Sequence, residues 1–270
     1  MNKLGRKIAI GFGIFIVVFL LAAVIITSVF QDQIGEKIVN ELNKTLKSEL
    51  TIGSFDLALI SSFPNLSANL EEVNLEDAFG NLLLEAKEVS FKIGLFSLLS
   101  SSVKVKSVEV TDGALNIHIN RKGKENYDIL QPTEDENQNQ DLGIKINEAR
   151  LTDMEVIYQD DRERQSIRTD IEDLVIEGDF GNTKYDLLSS AKIKSHFFEV
   201  GRTRYLVGTD IEYDAKIYAN LKTGVYDFER VELVVEDNTY KVDGFVETLE
   251  DMTDIDLIFT SDNSSLSSVL

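Results

Sequence analysis

The chain opens with an unbroken apolar run. Ile8 to Phe30 carries no charge over 23 residues. As a helix rising about 1.5 Å per residue it extends roughly 34 Å, enough to cross a hydrocarbon core of about 30 Å. A cleaved secretory signal has a shorter apolar stretch, about 7–15 residues, followed by a small-x-small site. This run ends instead in Thr27-Ser28-Val29-Phe30. The pattern predicts an uncleaved transmembrane anchor at 8–30, in preference to a long cleaved signal. From Gln31 to Leu50 the apolar positions Ile34, Ile38, Val39, Leu42, Leu46 and Leu50 recur every three or four residues, with Lys37, Glu41, Lys44 and Lys47 off the stripe. This is an amphipathic helix at 31–50. It either caps the edge or end of a sheet or lies on the membrane surface beside the anchor.

After Leu50 the period changes from 3.6 to 2. Ile52 to Ile60 reads as a strand, and Ser61-Ser62-Phe63-Pro64-Asn65 as a turn. Leu66, Ala68 and Leu70 alternate, and Val73 and Leu75 resume one residue out of phase, which predicts a bulge near Glu71-Glu72. Asp77–Asn81 is a turn. Val89, Phe91 and Ile93 alternate with Ser90 and Lys92, Phe96–Leu99 reads as a helical turn, and Val103–Val110 is a strand. Asp112-Gly113 is expected to turn that strand back into Leu115, Ile117 and Ile119. A loop is expected at about 131–142; its run from Pro132 to Asp141 has no apolar residue and is expected to be mobile. It is read as a loop within one continuous sheet. Strands resume at Ile144 and Ile146 and at Met154–Tyr158. They are then expected at about 167–176, 185–200, 203–218, 231–235, 240–246 and 255–259. The sum is a mainly β protein, about 12 antiparallel strands spanning roughly 58 Å at about 4.8 Å per strand.

Charge orients this arrangement. The chain has 27 Lys+Arg against 47 Asp+Glu, a net charge of −20. Lys3, Arg6 and Lys7 make the tail at 1–7 basic, so the positive-inside rule places it in the cytoplasm and everything after the anchor on the far side. In a Gram-negative cell that far side is the periplasm. The strong negative balance argues against a nucleic-acid partner and against a basic patch for anionic membranes. With no cysteine, disulfides, thiolate metal sites and thiol nucleophiles are excluded. Only two prolines suit long uninterrupted ladders. The uncharged end Ser264–Leu270 reads as the interior of a longer chain.

Candidate chemistry is sparse. No nucleophile elbow, phosphate loop, dinucleotide fingerprint or H-E-x-x-H motif is present. His118 alternates with Ile117 and Ile119, so it belongs on the face opposite them as a solvated strand residue, and His196 before Phe197-Phe198 reads the same way. The acidic run near Glu134 lacks a calcium-loop spacing. Asp160-Asp161 beside Arg162 and Arg164 reads as a salt-laced turn. No cofactor, metal or catalytic residue is assigned, and an enzyme is the weakest reading. What remains is a surface: alternation makes one face of a long sheet apolar. That face closes as a β-sandwich or stays open as a groove for acyl chains.

Several segments resemble a known family. The run FDLALISSFPNLSANLEEVNLED (Phe55–Asp77) resembles the N-terminal region of AsmA-family proteins, in which a strand, an FP turn and a further strand follow an anchor helix. EVSFKIGLFSLLSSSVKVKSVEV (Glu88–Val110) is similar to the next unit, and ALNIHINRKGKENYDIL (Ala114–Leu130) to the segment "l.i…dG..N.dil". YQDDRERQSIRTDIEDLVIEGDF and RYLVGTDIEYDAKIYANL look like forms found in Bacteroidetes members. The resemblance implies an inner-membrane protein with a periplasmic repeating β-groove, related to TamB and implicated in phospholipid transport and outer-membrane assembly. It also implies older associations with regulating protein targeting to the membrane, and neither catalytic residues nor a cofactor. The expected function is shielding and passing phospholipid acyl chains along the groove, with Phe91, Ile93, Leu115, Ile117, Ile119, Ile144 and Ile146 as its lining. The alternative is an anchored scaffold that acts by binding envelope assembly proteins.

Overall fold

A computed structural model describes residues 39–40, 43–58, 65–94, 105–131, 147–179, 183–248 and 253–261. The expected tail and anchor at 1–30, the turn at 61–64, the helical turn at 96–99 and the loop at 132–142 lie outside the described residues. Among the described residues no helix is long and apolar enough to cross a membrane.

The strands are β1 (Leu50–Thr51), β2 (Ser54–Ala58), β3 (Asn65–Glu76), β4 (Leu82–Gly94), β5 (Val105–Ile119), β6 (Glu148–Asp160) and β7 (Gln165–Glu177). They continue as β8 (Lys184–Val200), β9 (Thr203–Tyr205), β10 (Thr209–Asn220), β11 (Val225–Val235), β12 (Asn238–Thr248) and β13 (Thr253–Thr260). All join one sheet in the order β1-β3-β4-β5-β6-β7-β8-β10-β11-β12-β13, with β2 on β3 and β9 on β8. Ten steps of about 4.8 Å make the sheet roughly 48 Å wide. As elements, strands pack only on their ladder neighbours, so the described residues form an open curved sheet and not a sandwich.

Four expectations are corrected. The sheet is mixed, because β6 runs parallel to β5. Residues 120–147 connect the two, long enough for the crossover a parallel pair needs and a hairpin does not. Second, Asp112-Gly113 is no turn: β5 runs straight through it. Third, the helix expected to reach Leu50 ends at Thr45; residues 39–40 and 43–45 are helical. Beyond it Lys47 N donates to Ile129 O at 2.7 Å and Gln131 N to Thr45 O at 2.8 Å, so the chain leaves the helix to pair with residues 129–131. The Asn43 side chain closes the end, donating to Leu50 O and accepting from Leu50 N. The strand expected over 203–218 is also interrupted, at Leu206 and Gly208, both with positive φ.

The phase slip read at Glu71-Glu72 is real but is not a lone bulge. Glu72 has φ 51°. The register places it opposite Lys87, Lys87 opposite Asp112, Asp112 opposite Asp153 and Asp153 opposite Glu172. Asp112 and Asp153 also have positive φ, 57° and 52°. Each of the five strands therefore carries one extra outward residue at the same level. The slip passes in register from β3 to β7 as a crease, and the β7–β8 pairing absorbs it by shifting between Ile171 and Asp173. Gly113 sits beside the crease because a Cβ there would lie 1.9 Å from Glu85 O.

Candidate functional site

Directly paired residues share a face, so the register fixes which side chains line which side. Ala68 pairs with Phe91 and Phe91 with Val108. Leu84 pairs with Leu115 and Leu115 with Val156, while Ile117 pairs with Tyr158 and Tyr158 with Ile167. Ile171 pairs with Ile193 and Ile193 with Ile211. The same face continues through Val235 on β11, Val242 on β12 and Phe259 on β13. Across the described strands Asp160 is the one ionised residue on this face. It sits at the end of β6, where its carboxylate accepts from the Arg162 and Glu163 backbone N–H groups. On this face Ser189 Oγ and Tyr213 Oη lie 3.0 Å apart and satisfy each other.

Of the lining residues read from the sequence, Phe91 and Ile93 on β4 and Leu115, Ile117 and Ile119 on β5 all lie on this face. Ile144 and Ile146 lie outside the described residues. The structure adds the apolar residues of β6 to β13, whose alternation was visible but whose alignment with β5 depended on the crossover. Burial is graded. Phe55, Leu57, Leu70, Val73 and Val89 form a buried cluster near the first edge, with Val39 of the helical segment packed against it. Leu115, Ile117, Val156 and Ile193 stay half-exposed, while Ile255 and Phe259 at the far edge are 61% and 58% exposed.

The opposite face is charged and cross-linked. Arg150 meets Asp173 at 3.4 Å, Arg168 meets Glu155 at 2.6 Å, Lys194 meets Asp210 at 2.7 Å and Lys216 meets Glu229 at 2.6 Å. Such exposed pairs contribute little stability. Glu155, Asp170 and His196 bring their donor atoms within 4.8 Å of one another on this face. Arg168 already occupies Glu155, and Asp170 holds His196 Nε2 at 2.8 Å.

One end of the sheet is pinned by buried polar groups. Asn126 is 1% exposed and Asp77 5%. Asn126 Nδ2 donates to Asp77 Oδ2 at 3.0 Å and to Asn116 O at 2.8 Å, and its Oδ1 accepts from His118 N at 2.8 Å. Asp77 Oδ1 accepts from Phe79 N and Asn81 N. Burial alone would raise the Asp77 pKa, but these hydrogen bonds outweigh it and hold the carboxyl below its ordinary range. Thus the "G..N.dil" residues are structural. Gly123 takes a φ of 74°, Asn126 ties the β3–β4 turn to β5, and Ile129 pairs with the end of the helical segment. His118 lies on the charged side as expected, 3.2 Å from Asp161 and edge-on to Phe79.

A model of the AsmA family matches residues 1–216. The chain belongs to the AsmA family. The match ends inside β10, yet β11 to β13 continue the same apolar face in the same register. A comparison with curated proteins finds no match. AsmA membership suggests an envelope role of the AsmA/TamB kind.

Proposed function

We propose that this AsmA-family chain is an inner-membrane-anchored, periplasmic groove that shields phospholipid acyl chains and passes them across successive strands, without catalysis. The observation that carries the reading is the apolar face itself. It is continuous through the described strands, interrupted by one ionised residue at its margin, and left half-exposed over β5 to β8. Ordinary sheet core is covered by a second layer, and an uncovered apolar surface of this extent calls for an apolar partner. Each methylene moved from water to such a wall gains about 0.8 kcal/mol, and the charged outer face keeps the structure in solution meanwhile.

The test is photo-cross-linking of the full chain in its native membrane. A photoreactive side chain placed at Ile117 or Ile193 should capture lipid, and one at the exposed outward neighbour Lys192 should not. Ile117→Asp should lower lipid capture at Ile193. Equal capture at Lys192 and Ile193, or none at Ile193 in a folded protein, would sink the groove. Protein adducts at those positions in place of lipid would favour the scaffold reading.

A further inference from the structure

We propose that one long rim of the groove is a rail that holds the phosphate headgroups of anionic phospholipids. This rests on the groove reading above and adds where the headgroup sits and which headgroups are preferred. Because the strands run across the groove, their turns form its two rims. Three segments along one rim each carry two or three cations: Arg121-Lys122-Gly123-Lys124, Arg162-Glu163-Arg164 and, running from the turn into β9, Arg202-Thr203-Arg204, with their first arginines 41 and 40 residues apart in sequence. The parallel β5–β6 pair brings the first two to the same end, and hydrogen bonds join all three. Asp161 N donates to Ile119 O at 2.9 Å, and Gly201 N to Arg164 O at 2.8 Å. Residues 120–131, 160–164 and 199–204 hold seven cations against six carboxylates in a chain of net charge −20, and the next turn on this rim, Glu236-Asp237, is acidic. The described turns of the other rim, 178–179, 183 and 221–224, hold one cation, Lys222.

The backbone under the cations is fixed while several side chains are free. Asn120 Oδ1 accepts from Lys122 N and Lys124 N, and Asp160 Oδ1 from Arg162 N and Glu163 N. Arg162 is engaged by Asp160 and Glu163, and Arg204 by Glu199 and the Phe197 ring. Arg121, Lys122, Lys124, Arg164 and Arg202 are exposed; Arg121 lies near enough to Asp161 to help hold its pKa down, and the other four make no ion pair among the described residues. The apolar face reaches this rim at Ile119, paired with Asp160, and at Val200, the last residues of β5 and β8. A lipid with its chains on that face therefore meets the rail with its phosphate, which guanidinium forks bind in two-point fashion. From β5 to β8 the rail extends about 14 Å. A net-anionic headgroup gains from it in full, whereas a zwitterionic one brings its own cation to offset the phosphate.

The test uses the full chain in neutral detergent, with phosphatidylglycerol and phosphatidylcholine carrying the same fluorescent acyl chain. Wild type should bind phosphatidylglycerol about tenfold more tightly, the effect of one charge-assisted contact, and the preference should shrink with salt. The variant Arg121→Gln/Lys122→Gln/Arg202→Gln should lose the preference while keeping its circular dichroism and its phosphatidylcholine binding. Lys222→Gln on the other rim should keep the preference. A preference that survives the triple variant, or is absent from a wild type that binds both lipids, overturns the rail and leaves the groove standing. Binding of neither lipid refutes the groove first. Inorganic phosphate that abolishes the preference at millimolar concentration would assign the rim to free phosphate and overturn the lipid rail.

Discussion

Asn126→Ala tests whether buried hydrogen bonds hold the first end of the groove together. The substitution removes three bonds, to Asp77 Oδ2, Asn116 O and His118 N. It orphans one backbone donor and one backbone acceptor, each costing about 1–3 kcal/mol when buried. Asp77 keeps two backbone donors, so its own loss falls at the low end of that range. The sum is about 3–7 kcal/mol against local opening, or a hundredfold or more in the open population. Hydrogen exchange of the full chain, read by mass spectrometry on peptides covering 76–82 and 116–131, measures that opening. Protection in both peptides should fall together, because Ala78 N donates to Asn126 O. Asn126→Asp sharpens the argument. It keeps the acceptor for His118 N but sets a second carboxylate beside Asp77, which raises the folded pKa of the new group. Its contribution is then present at low pH and lost as pH rises through that raised value. After correction for intrinsic rates, this variant should be better protected at about pH 4.5 than at about pH 7.5. A change of less than about threefold in Asn126→Ala, or no pH dependence in Asn126→Asp, would refute the reasoning.

Gly113→Ala places a Cβ 1.9 Å from Glu85 O and 2.7 Å from Ala86 Cα, both backbone atoms, so β4 and β5 must separate at the crease; protease sensitivity between residues 85 and 113 should rise sharply. Met154→Ala at the 1% exposed centre of the face should cost about 2–5 kcal/mol, read as a lower urea midpoint for loss of β-sheet circular dichroism. Asp77 has a depressed folded pKa, so its contribution is full above its ordinary value of 3.8 and is lost as pH falls through the lower folded value. Pepsin cleavage within residues 77–82 of the wild type should therefore climb below about pH 3.8, while Asp77→Asn should already be cleaved well above it.

Alternation in the sequence determined the mainly β class, the position of most strands, and the membership of Phe91, Ile93, Leu115, Ile117 and Ile119 in one apolar face. It did so because strand side chains alternate with a period of two, a local property. The phase slip at Glu72 was legible for the same reason. Its extension through Lys87, Asp112, Asp153 and Glu172 was not, since only the register sets those residues side by side. The parallel step from β5 to β6 was equally hidden: the strand pattern is the same in either direction, and the connection alone decides which end returns. That step aligned the later strands with β5 and brought three distant arginine turns onto one rim. The roles of Asp77 and Asn126 also waited for the tertiary structure, because a buried hydrogen-bond network joins groups 49 residues apart. The sequence thus specified which residues face inward, and long-range pairing decided which of them became neighbours.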